Sequence, residues 1–159
     1  MPELEKVKIR QAQLSDASGI LQCLAGAFAR YRDHYSSEGF ADTVLDEASV
    51  RKRMQQMHIL VAVRDSEIVG TVGGAVGENS EGHLRGMAVL PSVQGTGIAA
   101  DLLVAIEAGL RNLGCTRVTL DTTLPLDAAM KFYEKYGYVR SGRVTDFFGM
   151  PLIEYAKQL

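Results

Sequence analysis

Hydrophobic and polar positions alternate at the start of the chain: Val7, Ile9 and Gln11 sit between charged residues, as one face of a half-buried strand requires. Leu14-Ser15-Asp16 then offers a hydroxyl or carboxylate to cap a helix. Ile20, Leu21, Leu24 and Phe28 follow at helical spacing, which predicts a first helix reaching about Arg30. From Tyr31 to Asp46 the pattern turns polar and irregular, a loop or a broken helix, before Leu45, Ala48, Met54 and Met57 restore a helical period. The apolar run Ile59–Val63, the turn Arg64-Asp65-Ser66 and the run Ile68–Val76 read as a hairpin.

A polar turn from Gly77 to Gly82 leads to His83–Leu90, the next member of the meander. After Pro91, a glycine-rich segment opens an amphipathic helix carrying Ile98, Leu102, Leu103, Ile106, Leu110 and Leu113, which Gly114 ends as a C′ residue. Thr116–Leu120 is rich in β-branched residues and predicts a strand. A shorter helix is predicted from about Pro125 to Tyr136, ended by Gly137, and Tyr138–Val144 and Leu152–Ala156 predict closing strands around Asp146–Gly149. The order β, α, α, β, β, β, α, β, α, β, β describes one α/β (α+β) domain over residues 1–159, a mixed sheet with helices, without an internal repeat or linker.

Composition narrows the classes. A length of 159 residues with 47% hydrophobic and 23% charged side chains fits one soluble domain. A net charge of −2 gives no global attraction to phosphate backbones, so nucleic acid is not an expected partner. Cys23 and Cys115 lie far apart in no metal-ligand spacing, which predicts two buried thiols in a reducing, cytoplasmic setting and no metal site. Met1–Arg10 alternates charge, unlike a signal or transit peptide, and no apolar run approaches the roughly 20 residues of a membrane span. No membrane partner is expected.

The segment Gly95-Thr-Gly-Ile-Ala-Ala100 satisfies G-x-G-x-x-A between a strand and a helix, with Asp121 at the next strand's end, so a dinucleotide site must be weighed. Against it, Pro91-Ser-Val-Gln94 separates strand from glycine, a meander precedes the loop, and too little chain follows for further βα units. Read from Gln94 to Ala99, the same residues give Q-x-x-G-x-A, and here the chain resembles the GNAT acetyltransferase superfamily, whose signature is Arg or Gln, two residues, Gly, one residue, then Gly or Ala. Met87-Ala-Val-Leu-Pro91 resembles that family's fourth strand, and Ala129-Met-Lys-Phe-Tyr-Glu-Lys-Tyr-Gly-Tyr138 its fourth helix and following strand.

The resemblance covers nearly the whole chain. It implies a twisted, mostly antiparallel sheet of six to seven strands flanked by about four helices and splayed between strands 4 and 5. It implies acetyl-CoA as cofactor, with the pyrophosphate held by backbone N–H groups of Gln94, Gly95, Thr96, Gly97, Ile98 and Ala99, as free N–H groups at a helix start favour anions. The pantetheine arm would lie along Met87, Ala88 and Val89, near Phe132 and Tyr133. Many members carry an asparagine at the start of the fourth helix. Leu126 stands there, so its polar contact is absent or falls to Asp127.

Acyl transfer to an amine needs a base for the ammonium proton, donors for developing negative charge, and an acid for the departing thiolate. Tyr133 matches the tyrosine that often protonates the coenzyme A sulfur, and is alternatively a packing residue beside Phe132 and Tyr136. For the base, His83 resembles the glutamate position of the histone-modifying branch, and Asp121 that of the ribosomal-protein N-terminal branch; both also read as solvated strand-end groups. Asp33, Glu38, Asp42, Asp46 and Glu47 favour a cationic acceptor, a small-molecule amine or a protein amino group, although Arg51-Lys-Arg53 offsets them. Tyr31, Tyr35, Phe40, Phe147 and Phe148 fit an aromatic wall, a core or a homodimer surface. Charge divides into −3 over residues 1–82 and +1 over residues 83–159, placing the acidic half at the acceptor and the basic half at the cofactor. A non-catalytic acyl-CoA sensor is the alternative to the enzyme.

Overall fold

The computed structural model describes residues 6–124 and 126–159, so the first half of the charge-alternating Met1–Arg10 segment and a helix start at Pro125 lie outside the described residues. Among the described residues seven strands form one sheet: β1 (Lys8–Gln11), β2 (His58–Arg64), β3 (Glu67–Val76), β4 (Glu81–Val89), β5 (Arg117–Thr123), β6 (Val139–Phe147) and β7 (Met150–Gln158), in the order β1-β2-β3-β4-β5-β7-β6. Every pairing is antiparallel except β4 with β5. That geometry excludes the doubly wound parallel sheet of a dinucleotide fold.

The helices are α1 (Ala17–Phe28), α2 (Ser37–Val44), α3 (Glu47–Gln56), α4 (Ile98–Asn112) and α5 (Asp127–Lys135). Among the described residues there are five, where the resemblance implies about four, because the polar 31–46 stretch is ordered by capping. Ser36 accepts from the Gly39 N–H and Asp46 from the Ser49 N–H, so α2 and α3 each start on a short polar side chain. Before them, Ala29–His34 tightens into a 3-10 turn that extends α1. The expected cap at Asp16 is corrected too. Its carboxylate accepts from the Gln13 N–H at 2.7 Å and from Arg10 at 2.7 and 3.0 Å, so it closes a 3-10 turn and ties down β1, and gives α1 no side-chain cap.

Each face of the sheet has its own apolar core. On one, Leu102, Leu103, Ile106 and Leu110 of α4 pack on Val72, Leu84, Val118 and Leu120, joined by Met130 and Tyr133 of α5. On the other, Ile20, Cys23 and Leu24 of α1 and Val50 of α3 pack on Val61 and Ala88. Both cysteines are free and buried, and burial pushes the Cys23 thiol up to about 12. Among the described residues no helix is long and apolar enough to cross a membrane.

The site is made by one irregularity in β4. Thr71 pairs with Ala88 and Gly73 with Arg85, so two residues of β4, Gly86 and Met87, stand opposite one of β3. This is a β-bulge, and Gly86 at φ +69° takes the left-handed conformation it needs. The extra residue turns the alternation over: Leu84 belongs to the α4 core and Ala88 to the α1 core. It also bends β4 away from β5. The parallel pairing runs only from Glu81↔Arg117 to Leu84↔Leu120. Beyond it the β5-facing edge of β4 has no strand against it, a splay between strands 4 and 5.

Candidate active site

A cleft of about 650 Å³ opens at the splay, walled by Arg85–Val89 of β4, Leu120–Thr123 of β5, the α5 residues Ala128, Ala129, Phe132 and Tyr133, and a rim from α1 to α3. At one end lies the glycine loop. After the 3-10 turn Pro91–Val93, Gly95 (φ +80°) and Gly97 (φ +89°) both adopt conformations that side-chain-bearing residues rarely take, with open space where a Cβ would project. Gly97 is the N-cap of α4 and offers no side-chain acceptor, which leaves the first N–H groups of a fifteen-residue helix uncapped. An anion is the natural partner of such a terminus.

The loop is held from both sides. Thr96 Oγ1 donates to the Val93 carbonyl. Gln94 Nε2 donates to the Val89 carbonyl at 3.4 Å, and its Oε1 accepts from Arg30 Nη2 at 3.2 Å. Arg30, which lies over the Tyr31 ring at 4.9 Å, therefore brings a cation to the loop that sequence reasoning missed; it falls after the apolar stripe of α1 ends and nothing in its spacing marks it. Gln94, Gly95 and Ala99 line the cleft, while Ile98 is buried in the core beside Leu102. Met87, Ala88 and Val89 line it along the unpaired edge of β4, where an extended ligand can complete the ladder as an added strand would. Asp127 is exposed in the first turn of α5 and is not among the lining residues, whereas Leu126 is.

At the other end the two rival bases stand together. The parallel register sets His83 beside Thr119, and His83 Nδ1 lies 2.8 Å from Thr119 Oγ1. His83 Nε2 lies 3.6 Å from Asp121 Oδ2. Burial, then the neighbouring Glu154, holds the Asp121 carboxyl above its ordinary range, against the opposing pull of His83. Carboxyl and imidazole form one pair, with the Thr119 hydroxyl against the other ring nitrogen.

Tyr133 of α5 lines the same cleft from the layer that packs with α4. It is 7% exposed, lines the cleft, and stacks edge-on with Phe132 and Tyr138. Packing residue and cleft residue are thus the same side chain. Its hydroxyl makes no hydrogen bond among the described residues, although Tyr138 and Tyr155 both find carboxylates. Burial pushes the Tyr133 phenol up, so it stays protonated. On β5, the Thr122 and Thr123 hydroxyls are sealed without a partner. Unsatisfied hydroxyls cost about 1–3 kcal/mol each, so the splayed end of the sheet is kept at a loss in stability.

The expected acidic acceptor wall is not what the cleft presents. Of the five carboxylates between residues 31 and 50, only Asp42 lines it, and Asp42 is engaged by Arg85 at 2.9 Å. Arg53 of α3 lines it as well, so its charged walls hold Arg30, Arg53 and Arg85 against Asp42 and Asp121. Charge by sequence half therefore misassigned the ends, because folding leaves Asp33, Glu38, Asp46 and Glu47 out of the lining and brings Arg30 and Arg53 into it. Tyr31, Tyr35 and Phe147 do line the cleft; Phe40 packs on Tyr35 behind it, and Phe148 is half-exposed. Among the described residues there is no cluster that could hold a metal ion.

A mixed sheet splayed between its two parallel strands, with an uncapped glycine turn at the mouth of the splay, is the fold of the GNAT acetyltransferases. The sequence profile of the acetyltransferase (GNAT) domain matches residues 27–159, and the chain belongs to that family. It is 31% identical over 72 residues to N-alpha-acetyltransferase 30 of Schizosaccharomyces pombe, a match over 45% of this chain and 48% of that one. The chain spans about half the length of the curated relatives it matches. Among solved structures it resembles the PaiA N-acetyltransferase of Thermoplasma acidophilum in complex with coenzyme A, with TM-score 0.81 and 17% identity over 97% of this chain and 99% of that one. The ribosomal-protein-S18-alanine N-acetyltransferase of Escherichia coli superimposes with TM-score 0.78 and 16% identity over 96% and 94%.

Proposed function

We propose that this chain transfers an acetyl group from acetyl-CoA to a primary amine, in a complex that holds donor and acceptor together. The observation that carries the reading is the splay itself, which joins an anion-binding helix start to the His83–Asp121 pair through one cleft. Acetyl-CoA fits what the residues offer. The uncapped N–H groups at Gly95–Ala99 and Arg30 receive the pyrophosphate, and the open edge at Met87–Val89 takes the amide-bearing arm. Bound there, it supplies an activated thioester.

The remaining work falls to the chain's own side chains. His83, held by Thr119 and paired with Asp121, takes the proton that the acceptor ammonium must lose before its nitrogen can attack. Asp121 favours the imidazolium that results. Tyr133 gives a proton to the sulfur as the C–S bond breaks, and regains one from the second N–H proton that the acetylated nitrogen sheds. A free phenol of pKa about 10 gives its proton to a thiolate near 8.5 at a cost of roughly 2 kcal/mol, and the apolar pocket that raises Tyr133 raises a buried thiolate too. The likeness to N-alpha-acetyltransferase 30 supports an α-amino acceptor.

The test is acceptor-dependent release of thiol from acetyl-CoA across amino acids, polyamines and peptides. Release with at least one primary amine, with matching N-acetyl product, is expected. Binding of acetyl-CoA without transfer to any amine would make the chain an acyl-CoA sensor instead.

A further inference from the structure

Resting on that reading, we infer that the acceptor amine also carries a carboxylate, received by the Arg53 guanidinium at the floor of the acceptor end of the cleft. Arg53 is half-buried on α3, where Val50, three residues before it, is 1% exposed and belongs to the core. A charge three residues from a core position lies on the inward side of its helix. It points at the bulge of β4: the position a Cβ would take on Gly86 is 3.1 Å from Arg53 Nη1. Glycine at 86 thus serves twice, turning the strand and leaving room for the guanidinium.

Its charge is offset only in part, because the opposing carboxylate, Asp42, is shared with Arg85. Arg53 makes no ion pair or hydrogen bond with the described residues, since the carboxylate within reach, Asp42, is held by Arg85. The void behind it, about 10 Å³ and lined by Leu24, Val50 and Ile59, admits one water at most. Burial and then the repulsion of Arg85 push its pKa down to about 10. A half-buried cation without an ion pair of its own costs stability, and here the cost falls on the wall of the cleft that His83 and Asp121 also line. A positive charge offset only in part calls for one negative charge. That fits a carboxylate, whose two oxygens match the guanidinium fork, better than a phosphate dianion. The acceptor class is then an amino acid or a peptide whose first residue is acidic.

The experiment compares kcat/KM, by thiol release, for dipeptide amides beginning with Asp or Glu against those beginning with Asn or Gln, together with amino acids against their carboxamides. Rates are corrected for the free-amine fraction. In the native protein the carboxylate member of a pair should lead by about tenfold or more, mainly through KM. Arg53→Gln should bring the ratio to within about twofold, and Arg53→Lys should keep part of it. Should Arg53→Gln fail to fold, the native ratio and that of Arg53→Lys decide. Transfer to amines with no preference for the carboxylate, or a preference that survives Arg53→Gln, overturns this inference and leaves the acetyltransferase reading standing. Absence of transfer to every amine removes that reading, and this one with it.

Discussion

Two polar clusters in this protein use the same side-chain chemistry to opposite ends. On α4, Glu107 is 4% exposed, yet each of its oxygens is matched: Tyr138 Oη donates to it at 2.7 Å and Lys157 Nζ at 3.1 Å. In the cleft, among the described residues, Arg53 forms no ion pair, the Tyr133 hydroxyl finds no acceptor, the Thr122 and Thr123 hydroxyls have no partner, and Asp121 is held above its ordinary range. A buried polar group that is fully paired locks one arrangement of the fold, whereas one left incomplete is a standing cost that a ligand can relieve. Completeness separates the structural cluster from the functional one, and burial does not.

The contrast can be broken most severely at Glu107. Glu107→Ala should cost about 3–5 kcal/mol in chemical denaturation, because it strands Lys157 and the Tyr138 hydroxyl, while activity per folded molecule holds. Lost activity in a stably folded variant would place Glu107 in the site. His83→Ala should do the reverse, lowering kcat by about 100-fold with little change in melting temperature, and should remove the acid limb of the pH–rate profile. A retained limb would assign the proton to another group.

Tyr133→Phe should reduce kcat by about 10- to 100-fold and leave coenzyme A affinity intact. Its hydroxyl makes no hydrogen bond among the described residues, so the loss should cost no stability; a drop in Tm would indicate a structural role. The smallest effect concerns Asp121. A carboxyl held above its ordinary pKa destabilises the fold once ionised, so stability falls as pH rises through the window from about 4 to the folded value. Asp121→Asn should therefore melt higher at pH 7–8, by no more than about 3 °C, with the gain vanishing below about pH 4. A gain at pH 3 as large as at pH 8 would show that charge is not its source.

What could be read from the sequence follows from how local each signal is. The helical period of Leu102, Leu103, Ile106 and Leu110 fixes the buried face of α4 because packing alone decides those positions, and Gln94–Ala99 is legible because phosphate binding needs backbone over a contiguous stretch. His83 and Asp121 stood as rivals for one role because only the parallel register brings residues that far apart in the chain together. The inward turn of Arg53 was hidden for the same reason. Two local signs were available, a glycine at 86 inside a strand pattern and a charge three residues after Val50 on a helix. Neither gains meaning until β4 and α3 are placed side by side.

The central claim is that the open glycine turn and the splay form an acyl-CoA site. Calorimetric titration with coenzyme A tests it most directly, using the native chain and Gly97→Val, whose side chain opposes the φ of +89°. Saturable one-to-one binding below millimolar ligand, weakened at least about tenfold by Gly97→Val in a protein that stays folded, is the result expected. No saturable binding at millimolar coenzyme A, or binding that ignores Gly97→Val, would contradict it.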